Sequence, residues 1–522
     1  MKKKLFKTRM LSFAAFCGLT FAFVSCANED VAQNPNNTEN DKNLTTFSTG
    51  DLLTRTTMES NGKFFWEAGD KIWVQDDDST WQQSSNTPIV KTDNFKFKVP
   101  GKFTKGSTYK VYYPGKNGNQ NQVTISANQS QSEPNTTAHF GASGDCGMTD
   151  AAWSNTKNGF AFSLDHKAAY LLLLPRTGNT ILHNCYLTKV EVNSDNDITS
   201  TYTLNPTTGK LTGTGTGKQI IVSTGGSGAY ANGFPLTNNS TSADTNGSYV
   251  VIKPGTHTLK IRYWVKDMVT NVEGTITKTL ASATYDQNKY YNITANLDVR
   301  NYDGDHYYMW DALEQFWKGY EWTKNLGVGV GQPTLNDGSS LNYAQSNSDV
   351  SRWYHEGSGA FQATQSCAGL PNVNEMTWYA AKGDPRWDAD ELWTTMGHLY
   401  KGGMWFKKKS VLQGEGHYNT EKSADGSTDL RTTQKEYLNT NSSIYNSGLP
   451  DAADAGKYFY LPAIGYYITG QLTNIGGVGA YWTSNANPWL SDRAYDMDFS
   501  RVNVSLNKGY SCAYGFRVGG FE

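Results

Sequence analysis

The stretch Leu259-Lys260-Ile261-Arg262-Tyr263-Trp264-Val265-Lys266 alternates in character, with Leu259, Ile261, Tyr263 and Val265 on one face and Lys260, Arg262 and Lys266 on the other. Period two belongs to an antiparallel strand with one face buried and the other in water. Tyr109, Val111 and Tyr113 around Lys110, and Val190 and Val192 around Lys189 and Glu191, repeat the pattern, and clusters of Gly, Asn, Pro and Ser separate such runs. No segment between residues 46 and 300 carries a convincing helical period. The region reads as two antiparallel β-sandwich domains in series, 46–165 and 166–300.

Composition agrees. Of 522 residues, 18% are charged and 13% aromatic, and the chain holds 51 Gly and 15 Pro, a mixture that suits short strands with many turns and excludes coiled coil, collagen and wholesale disorder. With 46 basic against 48 acidic residues and no basic block beyond the extreme N-terminus, the chain lacks the phosphate-neutralising patch of a nucleic-acid binder.

After residue 300 the texture changes, because ten of the fifteen tryptophans fall in 301–522. That stretch reads as a separate α+β domain. Trp310, Leu313, Trp317 and Tyr320 lie on one helical stripe, and Leu392, Met396 and Leu399 on another. Between them Asn372 or Asn374 can cap a short helix running through Glu375, Met376 and Tyr379 to Lys382, where Gly383 and Pro385 stop it. Strand-like text returns from Tyr458 to Tyr467 and from Tyr510 to Val518.

At the start, Lys2, Lys3, Lys4, Lys7 and Arg9 precede an apolar run from Leu11 to Val24, then Ser25 and Cys26. The run is shorter than the ~20 residues that span a bilayer as a helix, so 1–25 reads as a secretion signal. Its Phe23-Val24-Ser25-Cys26 ending resembles a bacterial lipobox, which implies acylation of Cys26, with ordinary signal-peptidase cleavage as the alternative. Ala27-Asn28-Glu29-Asp30 resembles the acidic tether that sends Bacteroidetes lipoproteins to the outer face of the outer membrane, and 26–45 is polar enough to be a flexible stalk. Cys17 leaves with the signal. Cys146, Cys185, Cys367 and Cys512 remain in an oxidising compartment, where two disulfides are arithmetically possible.

The eight histidines are scattered, and the chain has no His-Glu-x-x-His, Cys-x-x-Cys, Gly-x-Ser-x-Gly or phosphate-cradling glycine loop. The chain therefore reads as a non-enzyme without a cofactor or metal. Asp303, Asp305 and His306 read as a solvated loop, and Asp384 and Asp388 as helix-stop and cap residues. What the last domain does offer is aromatic and polar text. Trp489, Tyr495, Tyr510, Asn485, Asn487, Asp492 and Arg493 are the candidate ligand-binding residues, since flat rings beside amides and charged groups give contact area at low entropic cost. Asp496, Arg501, Asn503 and Asn507 accompany them, whereas Trp482, Phe499 and Phe516 read as core.

Two resemblances extend this reading. Thr54-Arg55-Thr56 with Trp66-Glu67-Ala68-Gly69-Asp70-Lys71-Ile72-Trp73-Val74, then Tyr109-Lys110-Val111-Tyr112-Tyr113-Pro114, then His166-Lys167-Ala168-Ala169, are similar in kind and order to the fimbrillin family of pilus-building surface lipoproteins. That resemblance implies partnership with other fimbrial subunits by strand exchange, and proteolytic processing after Arg55. Cys367-Ala368-Gly369-Leu370-Pro371, Glu375-Met376-Thr377-Trp378, Gly402-Gly403-Met404-Trp405, Leu461-Pro462-Ala463-Ile464-Gly465-Tyr466, Gly479-Ala480-Tyr481-Trp482-Thr483-Ser484 and Gly515-Phe516-Arg517-Val518 resemble the FISUMP family, with a C-type-lectin-like fold. This second resemblance implies a Cys367–Cys512 disulfide, leaving Cys146–Cys185 as the other candidate pair.

The combined expectation is a fimbrial subunit at a tip, binding a protein or glycan of a host or bacterial surface through 301–522. A non-polymerising glycan-capture lipoprotein is the alternative.

Overall fold

The structure, a computed structural model, describes residues 43–49, 57–58, 64–324, 327, 329–356, 361–446 and 454–521. The signal, the tether, Cys26 and Arg55 lie outside them. Three lobes follow one another, but the chain does not pass cleanly from each to the next.

The first lobe is one curled sheet. Its strands are β1 (Leu44–Thr49), β2 (Trp73–Gln75), β3 (Trp81–Gln83), β4 (Lys96–Pro100) and β5 (Thr108–Tyr113). After β6 (Gln122–Ile125) and β7 (Asn128–Gln131), which belong elsewhere, it is completed by β8 (Gly147–Ser154), β9 (Gly159–Phe162) and β10 (Asp165–His166). The order is β3-β2-β5-β8-β9-β1-β4, with β10 on β8. The two edges meet where the Ser85 N–H donates to Lys98 O at 2.7 Å and the Asn86 side chain bridges Lys96 O and Lys98 N, so the sheet nearly closes on itself. Trp66, Ile72, Val74 and Tyr113 fill its interior. Asp70 is what makes the turn at Gly69: its carboxylate accepts from Glu67 N–H at 2.7 Å and Tyr113 OH at 3.0 Å.

The second lobe is a two-layer sandwich. Its further strands are β11 (Ala169–Arg176), β12 (Cys185–Ser194), β13 (Ser200–Leu204), β14 (Gln219–Thr224), β15 (Ser248–Ile252), β16 (Leu259–Asp267), β17 (Glu273–Thr279) and β18 (Tyr290–Asn296). Sheet β15-β11-β18 faces sheet β17-β16-β12-β14-β7 around Leu171, Leu173, Val190, Val192, Ile261 and Val265. The alternation of Leu259–Lys266 is realised in β16, whose apolar residues are buried while Lys260 is exposed.

Two expectations need correcting. The cut at 165/166 is crossed, because β6 pairs with β13 and β7 with β14, and Phe140 stacks on Tyr170 at 4.9 Å. A stretch of the first lobe's chain thus builds the second. Nor are the sheets purely antiparallel, since β1/β9, β7/β14 and β11/β18 run parallel. Each of these pairs joins strands far apart in sequence, where no hairpin imposes direction.

The third lobe contains β19 (Arg300–Asn301), β20 (Tyr307–Tyr308), β21 (Arg386–Thr395), β22 (His398–Lys407), β23 (Tyr437–Asn439), β24 (Tyr458–Pro462), β25 (Val478–Ala486), β26 (Arg493–Ser500), β27 (Asn503–Ser511) and β28 (Phe516–Arg517). They form two main sheets, β19-β21-β22-β24 and β20-β28-β25-β26-β27-β23. The expected helix is present as Val373–Lys382. The Asn372 side chain accepts from Glu375 N–H at 3.0 Å and Glu375 accepts from Asn372 N–H at 2.8 Å, a reciprocal cap.

The two helical stripes are not helices. Asp311 takes φ 53°, which breaks the first, and its buried carboxylate accepts from the N–H groups of Thr364, Gln365 and Cys367 at 2.8 to 3.1 Å. Leu392, Met396 and Leu399 instead span a β-hairpin, whose two-residue turn Met396-Gly397 has φ of 45° and 79°.

That hairpin locks the third lobe to the second. Leu392 and Leu399 belong to the second lobe's buried cluster. The Asp267 carboxylate accepts from Leu399 N–H at 3.0 Å and faces His398 Nδ1 at 3.3 Å, and Lys401 Nζ reaches Glu273 O at 3.0 Å. Burial alone would raise the Asp267 carboxyl, but hydrogen bonds from His398, Leu399 and Val269 outweigh it and hold it below the ordinary carboxylate range. The lobe–lobe contribution is therefore present above pH ~4 and lost as acid titrates Asp267 through its depressed value. Asp267→Ala is expected to cost about 2 kcal/mol and to split one calorimetric transition into two at neutral pH, as acid below the depressed Asp267 value should do in the wild type. A single unsplit transition in both would count against the lock.

Candidate functional site

The outward face of the six-stranded sheet carries the most distinctive surface of the third lobe. Strand register aligns Ala480, Asp498 and Ser505 in one row, and Val478, Ser500 and Asn503 in the next. The opposite residues Tyr481, Met497 and Phe499 point into the main core. A cleft of about 400 Å³ lies over these rows, walled by Tyr466, Tyr510 and Phe516. Tyr466 and Tyr510 each meet the Phe516 ring edge-on, at 5.2 and 5.4 Å, and Phe516 is stacked on buried Trp482 at 4.4 Å. The walls are thereby rigid.

The floor is polar. Asn507 Nδ2 donates to Asp498 Oδ2 at 2.6 Å and to Ser505 Oγ at 3.2 Å, the Ser505 hydroxyl donates to Asp498 Oδ1, and Ser500 Oγ donates to Asn503 Oδ1 at 2.7 Å. One row inward Asp496 is fully buried, and burial followed by the neighbouring Asp498 holds its carboxyl well above the usual range. Burial also raises Asp498, against the hydrogen bonds from Ser505 and Asn507, and it raises Tyr510, reinforced by both carboxylates.

The candidate residues divide into three groups. Tyr510, with Asn503 and Asn507, lies in the cleft. Trp489, Asp492 and Arg493 sit at the opposite end of β25 and β26. There the Asn487 side chain accepts from Trp489 N–H at 2.8 Å and Leu490 N–H at 3.1 Å, fixing a turn that leaves Trp489 67% exposed. Arg493 donates to Gly509 O at 3.0 Å, while the Asp492 side chain faces solvent.

Asn485, Asn487 and Tyr495 are interior, which corrects their assignment as ligand contacts. Asn485 accepts from Val373 N–H at 3.0 Å and donates to Gln362 at 2.8 Å, so it ties the helix start to a loop. Tyr495 packs on Val373 and Leu430. Irregularities between Trp482 and Ala486 and between Ala494 and Asp496 reset which side each residue faces. Asp498, Ser500 and Ser505 were missed. The signal that reveals them is the alternation of Asp496, Asp498 and Ser500 with Tyr495, Met497 and Phe499.

All four described cysteines are thiols. Cys367 and Cys512 share one buried cluster with Trp310, Trp482 and Phe516. Burial pushes Cys367 up to about 12 and Cys512 well above its ordinary value. Cys146 and Cys185 are not brought together. They flank opposite ends of β11, whose eight residues at ~3.3 Å each put the two sites about 25 Å apart, so that candidate pair is withdrawn.

Among the described residues no group of three or more His, Cys, Asp and Glu side chains is placed to hold a metal ion. Asp303 and His306 form an exposed pair at 2.6 Å. Asp384 accepts from Arg386 and Tyr458, and Asp388 from the N–H groups of Asp390 and Glu391 and from Trp405. Among the described residues no helix is long and apolar enough to cross a membrane.

The molecule is thus a three-lobed β-rich protein with a preformed polar cleft near its C-terminus. Three solved structures are similar to it. A fimbrial protein from Bacteroides ovatus is 10% identical, with 91% of this chain and 98% of that chain covered and a TM-score of 0.27. Candidate cell adhesion proteins from Bacteroides ovatus and Bacteroides fragilis are 14% and 12% identical. They cover 48% and 49% of this chain and 92% and 93% of their own, with TM-scores of 0.28 and 0.29. No protein-family model and no curated protein matches the sequence. At these identities and scores the likenesses do not establish a function for this chain.

Proposed function

We propose that this chain is an exported surface subunit, lipid-anchored at Cys26, that accepts a neighbour's strand in its first lobe and binds a surface glycan or protein through its third, without catalysis. The observation that carries the reading is the fate of the two chain ends. Strand β28 pairs with β20 and β25, Phe516 is wholly buried, and Phe521 packs against Tyr379, Phe459 and Tyr481. A C-terminal segment so held is not available to a neighbour. β1, by contrast, is an inserted strand whose only covalent link to the folded body runs past Arg55. A subunit that takes a strand without lending one belongs at a tip.

The test is binding of the mature protein to host and bacterial cells. Tyr510→Ala is expected to lower it at least tenfold and Trp489→Ala to a lesser degree; unchanged binding by both variants would remove the recognition role from the third lobe. We also expect peptide mapping of the exported protein to find Cys367 linked to Cys512, consistent with their shared cluster and adding ~3–5 kcal/mol on the chain-entropy account. Two alkylatable thiols there would refute the link.

A further inference from the structure

We propose that the cleft takes a ligand bearing a primary ammonium among hydroxyl groups, the chemistry of an amino sugar with a free amine; this rests on the reading of the cleft as the binding site. Asp496 and Asp498 project from the same face of β26, two residues apart, and among the described side chains neither has an ion-pair partner. Neither oxygen of Asp496 has a hydrogen-bond partner of standard geometry, although the side chain is completely enclosed, and the Asp498 oxygens meet only the neutral donors Ser505 and Asn507.

Elsewhere in the lobe several partly buried carboxylates carry their own cation, as Asp349 has Arg352, Asp384 has Arg386 and Asp429 has Arg431, while buried Asp388 is satisfied by two backbone N–H groups and the Trp405 indole. Asp498 lines the open cleft with Asp496 enclosed behind it, and with no described cation beside either, the counter-charge is left for the ligand to supply. The walls agree, since the electron-rich rings of Tyr466 and Tyr510, backed by buried Phe516, attract organic cations. Ser500 and Asn503 complete the floor with groups that read hydroxyls. A bare divalent ion fits less well, because hard cations need six or more oxygens and an aromatic wall offers few. The volume of about 400 Å³ suits one or two sugar rings.

The experiment compares glucosamine oligosaccharides with N-acetylglucosamine oligosaccharides of equal length by calorimetry on the mature full-length chain. The free amine is expected to bind at least tenfold more tightly, and Asp498→Asn and Asp496→Asn to erase that preference. Both replacements keep side-chain shape, and circular dichroism checks their folding. Equal affinity for the two sugars, no binding of either, calcium binding at Asp498 in place of the amine, or a preference that survives both variants would overturn the proposal. If Tyr510→Ala still lowers cell binding in any of these cases, the cleft remains the recognition site and the amine alone is wrong. If Tyr510→Ala and Asp498→Asn both leave cell binding intact, the cleft reading falls, and this one with it.

Discussion

Replacing His166 with alanine is expected to destabilise the first two lobes by ~3 kcal/mol, the cost of leaving a buried carboxyl group without a principal hydrogen-bond partner. His166 Nδ1 lies 2.8 Å from Asp145 Oδ1, and neither side chain is more than 2% exposed. The Tyr170 hydroxyl donates to the same carboxylate oxygen, and burial reinforced by that carboxylate drives the Tyr170 phenol well above its ordinary value. The three residues come from the end of the 140–143 helical turn, from β10 and from β11, where the chain crosses between lobes. Ala168 and Ala169 are wholly buried beside them, so the His-Lys-Ala-Ala run is a lock at a crossing.

Without the imidazole, Asp145 keeps its desolvation and loses a principal partner. Against the 5–15 kcal/mol that ordinarily holds a domain, this loss is large. His166→Asn, which retains a donor, should recover part of it, and Asp145→Asn, which removes the charge, should cost less than His166→Ala. Urea unfolding followed by tryptophan fluorescence gives the comparison. A His166→Ala midpoint corresponding to a loss under ~1 kcal/mol would show that the lock is unimportant.

How much of this was legible in the sequence depends on how local each signal is. The helix Val373–Lys382 was readable because its cap, its apolar stripe and its stop lie within fourteen residues. The hairpin Arg386–Lys407 was misread because Leu392, Met396 and Leu399 happen to stand at helical spacing, and the deciding feature is a turn at two residues. The interleaving of the lobes was out of reach: Gln122–Ile125 is a short ordinary strand whose partner lies at Ser200–Thr203, and nothing local names that partner. The same holds for the lock, where His166 stood out but Asp145, 21 residues earlier, did not. In the cleft, Tyr510 was readable as an aromatic among polar neighbours. Asn485, Asn487 and Tyr495 were misassigned because alternation carries information only until an irregularity resets it, and two lie in this stretch.

Cutting the chain after Arg55 is expected to convert a closed first lobe into a strand acceptor. β1 lies between β4 and β9, with Phe47 opposite Phe97 on one side and Phe160 on the other, and the Phe47 ring sits 5.0 Å from that of Phe160. Thr49 adds hydrogen bonds with Phe95 and Lys157. While β1 remains covalently joined, its local concentration keeps it seated. Once cut, it is held only by its own contacts, chiefly ~2–3 kcal/mol from burying Phe47 and a ladder that any extended peptide can replace.

The cut chain should therefore release residues before 56 in mild denaturant and, mixed with strand peptides from the C-termini of co-expressed surface subunits, form a stable one-to-one complex by size-exclusion chromatography with light scattering. Alone it should stay monomeric, because β28 is buried in its own lobe, and Arg55→Ala should resist arginine-specific cleavage and take up no peptide. Self-assembly of the cut chain would mean that the C-terminal segment can leave its lobe, and the tip assignment would fail. Refusal of every added strand, with β1 already gone, would instead favour a subunit that never polymerises and serves only to hold ligand at the cell surface.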